Sequence, residues 1–113
     1  MNGSEVEILP SAKKDLLRGF DFYERQESGI GAYFVNKLSA EAQALQFTAG
    51  IHSKRGSLFR VKSRKFPYWI YYAIVDSVVY VSAVLDARRS PVIIRKREKK
   101  EQEFFYGTDD LDA

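Results

Sequence analysis

Cysteine is absent from the 113 residues, which excludes disulfides and thiolate metal sites together. Histidine occurs once, as His52 in the polar stretch HSKRGS (52–57), where a lone imidazole is more often solvated than catalytic. No apolar run approaches the roughly 20 residues of a bilayer crossing. The opening MNGSEVEILP lacks the apolar core of a secretory signal. The expectation is a cytoplasmic protein without a membrane attachment. A Gly-rich phosphate loop, a nucleophile elbow and metal-spaced His or carboxylate clusters are missing as well, so no cofactor and no metal are expected.

What the chain does have is an uneven charge. Residues 1–50 hold 5 basic and 7 acidic side chains, residues 51–100 hold 13 and 3, and residues 101–113 hold none and 5. The net charges are −2, +10 and −5, within a total of +3. A segment this basic draws acidic partners, whether a phosphate backbone or an acidic protein. The length suits a single domain with its own modest core, spanning about 5–97, with an acidic, frayed end over 106–113.

Hydrophobic period divides the chain. EVEIL (5–9) alternates and stops at Pro10, which predicts a short strand. Ser11 is placed to cap a helix whose face is Ala12, Leu16, Phe20 and Tyr23. Gly29 and Gly31 punctuate a turn. A second helix follows with Phe34, Leu38, Ala42, Leu45 and Ala49 in one stripe, ended by Gly50. Two helices so closely joined form an antiparallel hairpin. Beyond residue 57 the period falls to two: SLFRVKSR (57–64), PYWIYYAIV (67–75) and VVYVSAVLD (78–86) read as strands, the last two joined by a tight turn at Asp76 and Ser77. Residues 90–105 begin as a helix after Ser90 and Pro91 but show no clean apolar stripe. The predicted class is α+β: a β-αα-βββ layout, a helical hairpin on one face of a mostly antiparallel twisted sheet, with a short C-terminal helix.

The uncharged stretch FPYWIYYAIV (66–75) concentrates ring surface. In a strand, Tyr68, Ile70, Tyr72 and Ile74 share one side and Trp69, Tyr71, Ala73 and Val75 the other. The branched aliphatics Ile70 and Ile74 belong against the hairpin, so most of the stretch is core. Trp69 and Tyr71 then face away from the helices. Arg60, Lys62 and Arg64, at every second position of the preceding strand, are expected on that same open side, because charges are excluded from the core. The expectation is a bare sheet face with a positive rim and two aromatic anchors, the residue types that interfaces favour. Asp86 beside Arg88 and Arg89 reads as an ion pair at a strand end.

Four segments together carry a family likeness: ILPSAKKDLLRGFDFYERQESGIGAYF (8–34), AGIHSKRG (49–56), RVKSRKFPYWIYYAIV (60–75) and VLDARRSP (84–91). In this order they resemble the RelE/ParE superfamily of toxins from type II toxin–antitoxin systems, closest to the ParE-like, plasmid-stabilisation branch. The resemblance implies the β-αα-βββ fold and a growth-inhibiting toxin neutralised in a hetero-oligomer by a cognate antitoxin. It also implies one of two targets: DNA gyrase for ParE-like members, or mRNA cut in the ribosome for RelE-like members.

Two positions depart from the nuclease pattern. Trp69 stands where RelE-like enzymes can carry a catalytic Arg, and Ile93 falls near the expected catalytic Tyr or His. Arg60, Lys62, Arg88 and Arg89 are the candidates for a nuclease site. A missing general acid or base costs a factor of about 10²–10⁴, so the binding reading leads. The antitoxin and target are expected on Arg60, Lys62, Arg64, Trp69, Tyr71, Arg88, Arg89, Arg95 and Arg97. A ribosome-dependent endoribonuclease is the alternative, and a non-toxic antitoxin-binding module the third reading.

Overall fold

The computed structural model describes residues 4–107; the expected acidic end beyond Gly107 lies outside the described residues. α1 (Pro10–Gln26) opens with Pro10 in its first turn, where the missing N–H has no helical partner to lose, and Leu9 is the N-cap. Ser11 is therefore not the cap. Its hydroxyl donates to the Ser82 carbonyl at 2.7 Å and ties the helix to the sheet. α2 (Ile30–Gln43) starts after Gly29, whose φ of 94° is a left-handed conformation natural to glycine. The Glu24 carboxylate accepts from the N–H groups of Gly29 at 2.9 Å and Gly31 at 2.8 Å, clamping the turn between the helices. The expected continuous second helix breaks at Ala44 and resumes as the single turn α3 (Leu45–Thr48).

Five strands follow the predicted order with one addition: β1 (Glu5–Ile8), β2 (Lys54–Arg55), β3 (Leu58–Lys62), β4 (Tyr68–Val75) and β5 (Val78–Asp86). They lie side by side as β1-β5-β4-β3-β2, with β1 parallel to β5 and every other pair antiparallel. Asp76 and Ser77 both take positive φ, 51° and 68°, the mirror-image turn that a two-residue hairpin needs. The alternation is interrupted once, where Tyr71 pairs with Ala83 and Tyr72 with Val81. This bulge skips Ser82 and resets the pleat, so that Val81 and Val84 both join the core against the helical hairpin.

That core contains Leu16, Tyr23, Phe34, Leu38, Tyr68, Ile70 and Tyr72. Burying each such side chain contributes about 1.5–3 kcal/mol. Ile74 does not belong to it: near the strand's end it is 37% exposed. The hairpin closes tightly because Gly19 and Gly31 carry no side chain. A Cβ on Gly31 would stand 2.7 Å from the Phe20 carbonyl oxygen, and one on Gly19 would enter the ring of Phe34. Gly19→Ala gains about 1 kcal/mol in helix propensity but overfills a buried contact at about 1–3 kcal/mol. The expected net loss is about 1 kcal/mol, read from the urea midpoint; a raised midpoint would show that the Phe34 ring yields.

The opposite side of the sheet is not bare. α4 (Pro91–Tyr106), capped by Ser90 whose Oγ accepts from the Ile93 N–H at 3.4 Å, runs nine residues past the expected limit of the core at 97 and lies across it. Beneath it Leu58, Tyr71, Ala73 and Ala83 form a second small core, joined by Trp69, Leu85, Phe105 and Tyr106. The helix is anchored by polar groups: the Gln102 carbonyl accepts from the Ser57 N–H at 2.9 Å, and the Glu98 carboxylate from the Tyr71 hydroxyl at 2.6 Å. None of the helices among the described residues is long and apolar enough to cross a membrane.

Candidate functional site

The pairing of β3 with β4 sets Arg60 opposite Tyr71 and Lys62 opposite Trp69, so these four side chains share a face, as the alternation predicts. Their exposure differs from expectation. The Arg60 guanidinium lies 3.6 Å from the centre of the Trp69 ring, and the Lys62 ammonium 5.5 Å from it. Both distances favour a cation over a ring face. Arg60 also reaches to 3.7 Å from the buried Glu98 carboxylate, which Arg55 approaches at 3.3 Å. Glu98 is thus a hub that holds two arginines and a tyrosine under α4.

Tyr71 is the first correction. Its side chain is fully buried, because α4 covers it. Burial, followed by the bond to Glu98, raises its phenol to about 12, so it remains a donor. It supports the face from below rather than presenting a ring to a partner. Trp69 is half-buried and keeps an edge in solvent beneath Arg60 and Lys62.

Arg64 is the second correction. β3 ends at Lys62. The Glu41 carboxylate of α2 then accepts from the Ser63 hydroxyl at 2.6 Å and the Arg64 N–H at 2.9 Å, bending the chain toward the hairpin. The expected row of three cations is a pair, Arg60 and Lys62. Arg64 stands instead with Lys37 and Lys65 on the rim of a groove of about 700 Å³ between α2 and β3, whose floor includes Leu45, Val61 and Ile70. Lys62 borders this groove too, so the two basic regions are continuous around the β3 edge.

At the end of β5, Arg88 binds Asp86 through two bonds of 2.9 and 2.8 Å. Its guanidinium holds the Asp86 carboxyl below the usual carboxylate range, while burial acts the other way. Arg89 is exposed and, among the described residues, forms no ion pair. Arg95 projects from α4 into solvent. Arg97 is the third correction: it turns inward and binds Asp15 at 2.8 Å and Glu101 at 2.6 Å. That makes it a bolt between α1 and α4, its charge met by two carboxylates of the same chain. Ile93 is 46% exposed at the start of α4. His52 lies near β4, its Nδ1 at 2.6 Å from the Tyr72 hydroxyl; burial lowers its pKa and favours the neutral ring.

Of the expected cations, Lys62, Arg64, Arg88, Arg89 and Arg95 are exposed: the first two at and just after the end of β3 beside the Arg60–Trp69 stack, the next two just after β5, and the last near the start of α4. Arg55 and the Glu98 hub were not anticipated. Arg55 lies in a two-residue strand, and a lone glutamate in a basic run has no sequence pattern to single it out.

A small α+β unit with a helical hairpin and a C-terminal helix on a five-stranded mixed sheet, bordered by basic side chains, has known counterparts. Residues 6–91 match the model of the ParE toxin of type II toxin–antitoxin systems. The chain belongs to this family. It is a toxin of the ParE/RelE superfamily, and the sheet and helices have the fold of that superfamily. The chromosomal ParDE system of P. aeruginosa contains a similar chain, with a TM-score of 0.70 at 13% identity over 75% of this chain and 97% of that one. The RelBE2 toxin–antitoxin complex of Mycobacterium tuberculosis is more distant, with a TM-score of 0.46 at 19% identity over 74% and 98% of the two chains. The isolated RelE toxin of E. coli gives 0.45 at 19% over 86% and 98%. No curated protein matches the chain.

Proposed function

We propose that this toxin arrests growth by binding a host enzyme, DNA gyrase, and that an acidic arm of its cognate antitoxin silences it in a hetero-oligomer by covering the basic edge. The observation that supports a binding mode over a cutting mode is the make-up of that edge. Arg60 is stacked on Trp69 and held by Glu98, and Ile93 offers no proton at the start of α4. His52 is engaged with Tyr72, which belongs to the core against the helical hairpin, away from the face that carries Trp69. Phosphodiester cleavage needs a group that exchanges a proton near neutral pH, worth about 10²–10⁴ in rate, and the basic edge has cations in its place.

Purified toxin is expected to inhibit gyrase supercoiling in vitro in proportion to its concentration, and an equimolar amount of antitoxin to restore it. Toeprinting of mRNA after induction is expected to show no codon-phased cuts. Full supercoiling at excess toxin together with such cuts, reduced by Arg88→Ala, would replace this reading with a ribosome-dependent endoribonuclease. Growth unaffected by the toxin alone would reduce the chain to an antitoxin-binding module.

A further inference from the structure

A cavity of about 580 Å³ opens between α1, the end of β5 and the first turn of α4. Its wall residue Tyr68 projects from β4 to the hairpin side, opposite to Trp69, while Leu85 and the start of α4 close it from the Trp69 side. The volume is within the range of small-molecule sites. Its walls divide in two. Phe22, Val84 and Ile93 offer apolar surface, Phe22 and Ile93 each being 46% exposed. Arg18, Arg89 and Tyr68 offer donors.

Tyr68 is the unexplained member. It is 6% exposed, yet among the described residues its hydroxyl has no hydrogen-bond partner, whereas Tyr71 and Tyr72 are both bonded. It is also absent from the fully enclosed unpartnered atoms, of which Ser82 Oγ is the one found among the described residues. A buried hydroxyl normally finds an acceptor, and this one is open to the cavity, where water or a bound molecule supplies it. Burial, followed by the Asp86 carboxylate, raises the phenol to about 12, so it presents a proton rather than a negative charge.

The charge around it is unbalanced. Asp86 is taken by Arg88 through two bonds and Asp15 by Arg97 through two more. Arg18 can only share Asp15 with Arg97, and Arg89 has no carboxylate among the described residues. The first turn of α4 adds the positive end of a helix dipole at the same wall.

We infer that this cavity is a binding site for a small organic anion, a phosphate monoester or a carboxylate carried on a ring-sized apolar body. The anionic head accepts from the Tyr68 hydroxyl and the Arg89 guanidinium, and the body lies between Phe22 and Ile93. The inference does not depend on the gyrase or antitoxin reading, since Tyr68, Phe22 and Ile93 lie outside the basic edge and Arg89 alone is common to both.

The test is titration of the full-length toxin, by calorimetry and by amide chemical shifts, with phenyl phosphate, phenylacetate, inorganic phosphate and benzyl alcohol. At least one aryl anion is expected to bind saturably and at least tenfold tighter than both inorganic phosphate and benzyl alcohol, with shifts centred on residues 18–22, 68 and 89–94. Whichever aryl anion binds tighter identifies the head group as phosphate or carboxylate. Tyr68→Phe, which keeps the ring, is expected to weaken binding about tenfold, as loss of a hydrogen bond to a charged group does. Arg89→Gln, at an exposed position, is expected to weaken it as much and keeps the test decisive if the Tyr68 variant misfolds. Aryl anions that bind no better than the two controls, or that bind both variants as well as the parent, would overturn the proposal.

Discussion

Asp15→Ala is expected to cost about 4 kcal/mol of folding stability, the largest loss from any single truncation of a polar side chain here. Asp15 is buried, and its two oxygens accept from both terminal nitrogens of Arg97 at 2.8 Å, from Arg18 at 2.8 Å and from the Val84 N–H at 2.9 Å. One carboxylate thus joins α1, β5 and α4. Removing one partner of a buried ion pair costs about 3–5 kcal/mol because the other charge is stranded, and an orphaned buried N–H adds about 1–3 kcal/mol. Two facts pull toward the lower end. Glu101 still holds Arg97 at 2.6 Å, and Arg18 is mostly exposed, so its pair contributes at most about 1 kcal/mol. Urea denaturation monitored by far-UV circular dichroism measures the loss, which is large against a typical 5–15 kcal/mol total. Asp15→Asn, which keeps an acceptor for Val84, is expected to lose less. A loss below 1 kcal/mol for the alanine variant would mean that α4 is held mainly by its apolar contacts.

This hub also explains what the sequence could and could not disclose. The helical hairpin and the three long strands were legible, because each puts its apolar residues on one face at a constant period. Phe34, Leu38, Ala42 and Leu45 on the second helix, and Tyr68, Ile70 and Tyr72 on β4, are the core that their spacing predicts. α4 was legible at its start, through Ser90 and Pro91, but not in its extent or its role. Its inward residues Ile94, Glu98, Glu101 and Phe105 follow helical spacing, yet the central two are carboxylates that read as a solvated face. They are buried because partners meet them there: Tyr71 and Arg60, remote in sequence, for Glu98, and for Glu101 an Arg97 one turn earlier that is itself turned inward to the remote Asp15. A pattern built on apolar residues cannot register a stripe held by charge pairing. For the same reason the open face expected around Tyr71 was an error, while the grouping of Arg60, Lys62 and Trp69, which needs only pleat and register, was right. β2 is two residues long, too short for any periodicity. The bulge at Ser82 breaks alternation in a strand that otherwise obeys it.

Reversing two charges on the basic edge, Lys62→Glu with Arg64→Glu, is expected to weaken the cognate antitoxin about 100-fold while leaving the fold intact. The geometry decides which cations to choose. Arg60→Glu would set a carboxylate beside Glu98, now 3.7 Å from the guanidinium, and would confound binding with folding. Arg97→Glu would face Asp15 and Glu101 in the same way. Lys62 and Arg64 are exposed, and among the described residues neither forms an ion pair. An exposed pair contributes about 0–1 kcal/mol, so removing one charge would test little. Reversal replaces each attraction with a repulsion of similar size, and two reversals on one continuous edge come to about 3 kcal/mol, or about 100-fold in Kd. Most of that loss is expected in the association rate at low salt, and it narrows at high ionic strength as the charges are screened. Trp69→Ala separates the two components of the surface: it removes the ring on which Arg60 and Lys62 lie and should act on dissociation with little salt dependence. Unchanged affinity in the double reversal, with Trp69→Ala also silent, would remove the antitoxin from this edge and direct the search to the outer surface of α4, where Arg95 stands.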